Sequence, residues 1–180
     1  MFEFQHTIQG SVEVTGVSLH TGENTMLRFK PAPANHGIRF QRMDLPGEPV
    51  VHALVENVQD TQRGTTIGEN GVVIHTVEHV LSTLTGFGID NVLIEISGTE
   101  PPIFDGSAKT YAEAVKKAGA EKLSAKRDVF IPEAPVFFRS NGSSLVILPS
   151  EQFEISCTIS FPNQLLESQF LNIKISADTF

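Results

Sequence analysis

Apolar and polar residues alternate along much of the first 67 residues, and turn-forming residues separate the alternating segments. The strand-like segments are Phe2–Val14, Asn24–Phe29, Ile38–Arg42 and Thr65–Ile67. A period of two places alternate side chains on one face of a sheet. Glycine and proline interrupt the pattern at Gly16–Gly22 and at Pro31–Gly37, where they favour turns. These residues predict a mostly antiparallel sheet.

The apolar period becomes helical near residue 76. The residues that recur at helical spacing are Val77, Val80, Leu81 and Leu84. Thr76 is a candidate N-cap, and Gly86 and Gly88 end the helix. A buried strand, 91–97, and a second amphipathic helix that ends at Gly119 follow. The chain to this point therefore combines one sheet with two helices.

A polar segment divides the chain into two predicted domains. Residues 1–122 are expected to form a two-layer α/β sandwich, so the fold class is α+β. Residues 123–127 lack apolar periodicity and are expected to be a linker. Residues 128–180 contain strand-like segments without a helix, which leaves a sheet uncovered. We expect them to be the truncated strands of a second, similar domain, completed by a missing C-terminal half, and we expect the isolated chain to self-associate.

Composition and charge restrict the type of protein, the partners and the compartment that are compatible with this chain. The chain has 180 residues, 40% of them hydrophobic, which is typical of a soluble globular protein. The formal net charge of -8 disfavours nucleic acid as a partner. We expect no transmembrane segment, because no run of about 18 apolar residues occurs. The single cysteine, Cys157, and the absence of a secretion signal at the N-terminus make the cytoplasm the simplest compartment.

The candidate chemistry lies in the sequence HTVEH at residues 75–79. A carboxylate beside an imidazole on a helix is typical of metal-assisted hydrolysis. Glu78 and His79 fall on the helix face opposite the apolar residues, so His79 is not a core histidine. The pair alone is also compatible with a solvated helix face. A further alternative is an H-x-x-E-H metallopeptidase of the inverzincin type, which requires His75 inside the helix.

Three segments together resemble one family. They are TVEHVLSTLTGFGIDNVLIEISGTEPPIFDGSA at 76–108, GVSLHTGENTMLRFKPAPANHGIRFQR at 16–42 and CTISFPN at 157–163. In this order they are similar to the N-terminal part of UDP-3-O-acyl-N-acetylglucosamine deacetylases, the zinc enzymes of lipid A synthesis in Gram-negative bacteria. The resemblance runs essentially end to end. One departure is Ser18, which stands where the family's loop has its second glycine.

The resemblance implies a site and a reaction. His79 would be one of three protein ligands of a catalytic Zn²⁺, and Glu78 would be the general base. Leu19, His20 and Thr61 would contact the substrate, UDP-3-O-acyl-N-acetylglucosamine, and the products would be acetate and a free amine. The family's other two zinc ligands and its general acid would lie beyond the end of this chain, so the chain alone is expected to be inactive.

Two other functions remain open from the sequence. Some relatives are fused to a 3-hydroxyacyl carrier-protein dehydratase, so the full-length protein is a candidate bifunctional enzyme. Alternatively, the helix face that carries Glu78 docks a partner, and the chain is a non-catalytic binding module.

Overall fold

The structure is a computed structural model that describes residues 3–162, 165, 168–176 and 179. The described residues divide after Arg127 into two compact units. Pro162 and Asn163 are residue types that favour a turn, but Asn163 is not among the described residues.

The first unit consists of short strands and two helices. Its strands are β1 (Phe4–Ile8), β2 (Val12–Val17), β3 (Asn24–Pro31), β4 (Ile38–Arg42), β5 (Val50–His52), β6 (Val58–Asp60), β7 (Thr66–Glu69), β8 (Val72–Ile74), β9 (Val92–Ile96) and β10 (Ala120–Lys126). The helices are α1 (Glu78–Gly86) and α2 (Lys109–Ala118), and a 3-10 turn spans Val55–Asn57. The predicted α+β class is confirmed, and so is a largely antiparallel sheet accompanied by two helices.

A five-stranded sheet organises the unit in the order β2-β3-β9-β4-β5. β4 and β9 run parallel, and the other neighbouring pairs in this sheet are antiparallel. β1 pairs with β10, and β6, β7 and β8 form a third small sheet. The central strand β9 turns Val92, Ile94 and Ile96 to the core, where they are fully buried. The register places Glu95 on the opposite face, beside Arg28 and Lys30 of β3.

The two helices and the five-stranded sheet share one hydrophobic core. Val80 and Leu84 of α1 and Val115 of α2 are buried against core residues of the strands. The apolar face predicted for α1 is therefore confirmed, although Leu81 is only half-buried. α2 ends at Ala118, and its C-cap is Gly119, whose φ of 75° is accessible to glycine without a steric cost.

Two local predictions were wrong. Thr76 is not an N-cap: α1 starts with Val77 in the cap position, without a side-chain hydrogen bond, and Thr76 has a φ of 53°. Its hydroxyl instead donates a hydrogen bond to the carboxylate of Glu100. The expected linker at 123–127 is mostly strand, because Glu121, Lys122 and Lys126 of β10 pair with β1. Main-chain pairing at this small sheet needs no apolar alternation, and β10 is largely exposed.

The second unit contains two antiparallel hairpins in its described part. They are formed by β11 (Val136–Ser140) with β12 (Ser143–Ile147), and by β13 (Glu154–Ile159) with β14 (Gln169–Lys174). Asn141 and Gly142 have φ values of 48° and 81°, as a tight turn of this kind requires. Val129–Ile131 is an apolar segment of the strand-like type noted for residues 128–180, but it has no ladder partner among the described residues.

Candidate functional site

The start of α1 is held by main-chain hydrogen bonds to two neighbouring loops. The His75 amide donates to the Thr99 carbonyl oxygen at 2.8 Å, and the Val77 amide donates to the Thr65 carbonyl oxygen at 3.2 Å. In return, the Thr65 amide donates to Oε2 of Glu78 at 2.9 Å. The carboxylate of Glu78 is therefore fixed through one oxygen, while Oε1 has no hydrogen-bond partner in the described parts of the chain.

His79 follows in the first turn of α1 and is half-buried. Its carbonyl oxygen accepts hydrogen bonds from the hydroxyls of Ser82 and Thr83, at 3.0 and 2.9 Å. Its ring has no hydrogen-bond partner among the residues that the structure describes. An imidazole in this position is available as a ligand, and Glu78 lies beside it in the sequence.

A fully buried carboxylate, Glu100, connects this helix start to a second loop. Its Oε2 accepts from the backbone amides of His20 and Thr21, both at 2.9 Å. Its Oε1 lies 2.8 Å from Nδ1 of His20 and accepts from the Thr76 hydroxyl at 2.7 Å. Glu100 thus joins the loop at residues 18–22 to the segment that precedes Glu78.

The electrostatics of Glu100 follow from these contacts. Burial alone would raise the pKa of the carboxyl group. The hydrogen bonds from the amide of Thr21, the ring of His20, the hydroxyl of Thr76 and the amide of His20 outweigh burial and lower the pKa to about 2. Glu100 is therefore an anion at neutral pH, and each neighbouring polar group must act as a donor towards it.

The structure brings some of the sequence-predicted site residues together and leaves others apart. His20, with a side chain 45% exposed, meets the α1 entry, where its Nδ1 lies 3.3 Å from Oγ1 of Thr76. Leu19, 55% exposed, is in the same loop. Thr61 is exposed just after β6, in the loop that leads to Thr65. No side-chain hydrogen bond among the described residues connects Thr61 to the other predicted site residues.

Sequence reasoning missed Glu100 as a member of this cluster. The segment Gly98–Pro102 reads as an ordinary loop, and a glutamate in a loop is usually exposed. The signal that was available is the pair of prolines after Glu100, which rigidify the backbone beyond a buried strand. Nothing local indicates that its partners are 24 and about 80 residues away along the chain.

The alternative of an H-x-x-E-H site is not supported by the helix boundary. His75 lies outside α1, and its Nδ1 is 3.0 Å from the Thr66 hydroxyl. Among the described residues, no group of three or more His, Cys, Asp or Glu side chains is arranged to hold a metal ion. His79 is consequently one available ligand, not a site on its own.

The comparison with known families decides the assignment. The family described as LpxC, UDP-3-O-acyl N-acetylglycosamine deacetylase, matches residues 5–180. The chain belongs to this family. Relatives of the deacetylase family agree with the match. The chain is 36% identical over 177 residues to the UDP-3-O-acyl-N-acetylglucosamine deacetylase of Geotalea uraniireducens, covering 98% of this chain and 58% of that protein.

Two further relatives are named as bifunctional enzymes. The chain is 41% identical over 172 residues to the bifunctional enzyme LpxC/FabZ of Bacteroides thetaiotaomicron, and 43% identical over 171 residues to that of Chlorobaculum tepidum. Each match covers 94% of this chain and 37% of the relative. The chain therefore spans between about a third and three fifths of the length of these relatives. Within the described residues, no helix is long and apolar enough to cross a membrane.

Proposed function

We propose that this chain is the N-terminal part of a zinc-dependent hydrolase that removes the acetyl group from UDP-3-O-acyl-N-acetylglucosamine, giving acetate and a free amine. The observation that carries the proposal is the placement of Glu78 and His79 side by side at the start of α1, in a member of the deacetylase family. The cytoplasmic location belongs to the same proposal, and the single cysteine of the chain supports it.

Glu78 acts as the general base in this proposal. The Thr65 amide holds Oε2 at 2.9 Å, so the carboxylate is oriented before substrate binds. Oε1 is then the atom that takes a proton from the water that attacks the acetamide carbonyl carbon. A base that is already positioned avoids an ordering cost at the moment of reaction.

The residues present fit a zinc ion as part of a larger ligand set. His79 offers a half-buried imidazole without a competing hydrogen bond in the described part of the chain. When bound, zinc lowers the pKa of water to about 7 and polarises a carbonyl group. A structural or catalytic zinc needs at least three protein ligands, so we assign the other ligands to the length that the relatives have beyond this match.

Leu19, His20 and Thr61 form the substrate-contacting part of the proposal. All three are exposed, and they lie on the two loops that Glu100 and Glu78 fasten to the α1 entry. Exposed side chains on loops that are fixed to a rigid element are well placed to bind a ligand. The exposed Leu19 offers apolar surface, and the ring of His20 offers a hydrogen-bonding edge.

The test of this activity uses the full-length protein and measures acetate release from the UDP-sugar. Glu78→Gln keeps the shape of the side chain but cannot accept the proton, and we expect a loss of about a hundredfold or more in kcat. The matched control is Glu113→Gln on the exposed face of α2, which removes the same charge and should leave kcat unchanged. Wild-type protein without activity, with and without zinc, would sink the proposal.

Zinc content tests the ligand assignment separately. After dialysis, elemental analysis of the full-length protein should give about one zinc per chain, lost in His79→Ala and retained in His75→Ala. The 180-residue chain should retain little zinc in the wild type and in both variants, because a lone imidazole binds weakly. Zinc retained in full-length His79→Ala would show that the ligand has been misassigned.

Two alternatives give different results in the same experiments. The compound name of two relatives favours a longer, bifunctional protein, and the length of the natural gene product discriminates this form from a single-function enzyme. A non-catalytic binding module predicts no acetate release, and it also predicts that Glu78→Gln impairs association with a partner.

A further inference from the structure

Glu100 is more elaborately bonded than a loop anchor requires. Its carboxylate is completely inaccessible, and it accepts four hydrogen bonds from three residues. Burying a carboxylate is costly unless it is fully compensated, and a neutral side chain could satisfy two backbone amides. The remaining two contacts, to the ring of His20 and the hydroxyl of Thr76, are those that involve the candidate site.

Further hydrogen bonds fix the main chain at Glu100 and at Pro102. Its carbonyl oxygen accepts a hydrogen bond from the Ser18 hydroxyl at 2.6 Å, and Ser18 forms an isolated bridge with Pro102. The carbonyl oxygen of Pro102 in turn accepts from the hydroxyl of Tyr111 in α2. The loop that carries His20 and the loop that carries Glu100 are thus joined through main chain and side chains together.

The hydrogen-bond roles around Glu100 determine the protonation of the His20 ring. The Thr76 hydroxyl gives its proton to Oε1 of Glu100, so its oxygen can only accept from the ring nitrogen 3.3 Å away. Glu100 Oε1, at 2.8 Å from the same nitrogen, is also an acceptor. Both neighbours of Nδ1 are therefore acceptors, and Nδ1 must carry the proton.

We propose that Glu100 is a positioning residue of the deacetylase site: it holds His20 as the Nδ1–H tautomer, so that Nε2 remains free to accept a hydrogen bond from a sugar hydroxyl of the substrate. This inference rests on the proposed function for the identity of the ligand. The tautomer itself follows from contacts within this chain. His20 is the residue that touches substrate, and Glu100 acts through it.

Thr76 extends the same arrangement to the catalytic helix. It is a β-branched residue with a φ of 53°, a conformation that is unfavourable for such side chains. The strained backbone directs the hydroxyl at Glu100 and is followed two residues later by Glu78. One buried carboxylate therefore sets both the orientation of His20 and the backbone that leads into the proposed base.

The first test measures the tautomer on this 180-residue chain and needs no enzyme activity. The ¹⁵N chemical shifts of the two ring nitrogens of His20 are recorded while the ring is neutral, and His20→Ala assigns the signals. We expect Nδ1 to be protonated in the wild type. An Nε2–H ring in the wild type would overturn the inference, whatever happens to the variants.

Glu100→Gln then tests whether Glu100 is the cause. An amide has one acceptor oxygen, so its NH₂ group must face either the two backbone amides or the ring and the hydroxyl, and donors then oppose donors. We expect the ring to change tautomer or to populate both. The matched control is Glu95→Gln, at another nearly buried glutamate that bonds Arg28 and Lys30 on the outer face of the sheet, and it should leave the His20 signals unchanged.

Kinetics of the full-length protein separate positioning from a structural role. Glu100→Gln and His20→Ala should each lower kcat/KM by about tenfold or more, the usual effect of removing a residue that orients a site group. The double variant should be no worse than either single variant, since both changes remove one function. If losses add and the tautomer is unchanged, Glu100 is only structural.

These experiments distinguish a failure of the proposed deacetylase activity from a failure of the positioning role of Glu100. If the wild type releases no acetate but His20 is an Nδ1–H ring that depends on Glu100, the proposed function fails and the positioning stands. If the wild type is active but the tautomer is wrong, the positioning fails alone. Tyr111 fluorescence shows whether Glu100→Gln folds. If it does not fold, the tautomer of His20 in the wild type still tests the inference. Glu100→Asp, which keeps the charge but has a shorter side chain, then takes the place of Glu100→Gln.

Discussion

Protonating or neutralising Glu100 should destabilise the first unit by an amount that depends on pH. The pKa of Glu100 is lowered from 4.5 to about 2 by the hydrogen bonds that it accepts. A carboxyl group with a depressed folded-state pKa stabilises the fold above its unfolded pKa, and this contribution is lost as the pH falls through the folded pKa. Glu100→Gln, a neutral isostere, should therefore mimic permanent protonation.

The pKa difference sets the size of the effect. A shift from 4.5 to about 2 corresponds to about 3 kcal/mol of stability at pH 7. At pH 2 the unfolded chain is protonated at this site and the folded chain is half-protonated, so the contribution falls to below about 0.5 kcal/mol. The difference between wild type and Glu100→Gln should shrink accordingly between about pH 5 and pH 2.

The chain supplies a probe that is specific for the first unit. Tyr111 is the single tyrosine of the sequence, there is no tryptophan, and Tyr111 is fully buried in α2. Urea unfolding followed by tyrosine fluorescence therefore reports on this unit without interference from the hairpins. The other carboxyl groups titrate in both proteins, and their contributions cancel in the difference.

Glu113→Gln on the exposed face of α2 is the control for loss of one negative charge, and it should change the free energy of unfolding by less than about 0.5 kcal/mol. An electrostatic contribution of Glu100 would be refuted if Glu100→Gln were as stable as wild type at pH 7, or if a large destabilisation stayed constant down to pH 2. The second result would assign the loss to packing and not to the charge.

Three further predictions concern the same unit and the hairpins. A Cβ at Gly64 would lie 3.3 Å from Oγ1 of Thr76 and 3.4 Å from Oε1 of Glu78, so Gly64→Ala should displace the carboxylate and lower kcat of the full-length protein several-fold. The control is Gly10→Ala, whose Cβ would have its nearest contact at 3.8 Å and which should leave kcat unchanged. Equal activities of the two variants would contradict this prediction. Thr76→Val removes one donor to the buried carboxylate and should cost about 2 kcal/mol by the tyrosine assay, and an unchanged unfolding curve would show that the hydroxyl contributes nothing. Sedimentation of the 180-residue chain should show self-association through the exposed face that includes Phe138, 63% exposed, and Phe138→Ser should weaken it; a monomer at all concentrations would exclude this surface as a contact.

Elements in which an apolar pattern repeats over several residues were predictable from the sequence. Val80 and Leu84 lie on the buried face of α1 as their spacing indicates, and the alternation at 24–29 develops into β3. In each case a local pattern, repeated over several residues, was sufficient.

Elements that depend on distant partners were not predictable. β5, β6 and β8 have three residues each, too few to display a period, and their pairing partners define them. Thr76 looks like a cap because threonine before a helix commonly is one. Its hydroxyl instead serves Glu100, 24 residues away, and no local pattern reveals that competition. The family resemblance supplied the proposed site residues but not Glu100, whose hydrogen bonds join the loop of His20 to Thr76.

The pairing of β1 with β10 means that the first unit is closed by its own two ends. Phe4 lies opposite Lys126, and the amide of Arg127 donates to the carbonyl oxygen of Glu3 at 3.0 Å. A unit whose chain enters and leaves at one place can be joined to other sequences there without disturbing its interior. It can equally be reconnected: a short link from residue 127 to residue 3, with new ends at the exposed turn Gly47–Glu48, would keep every strand pairing of the unit.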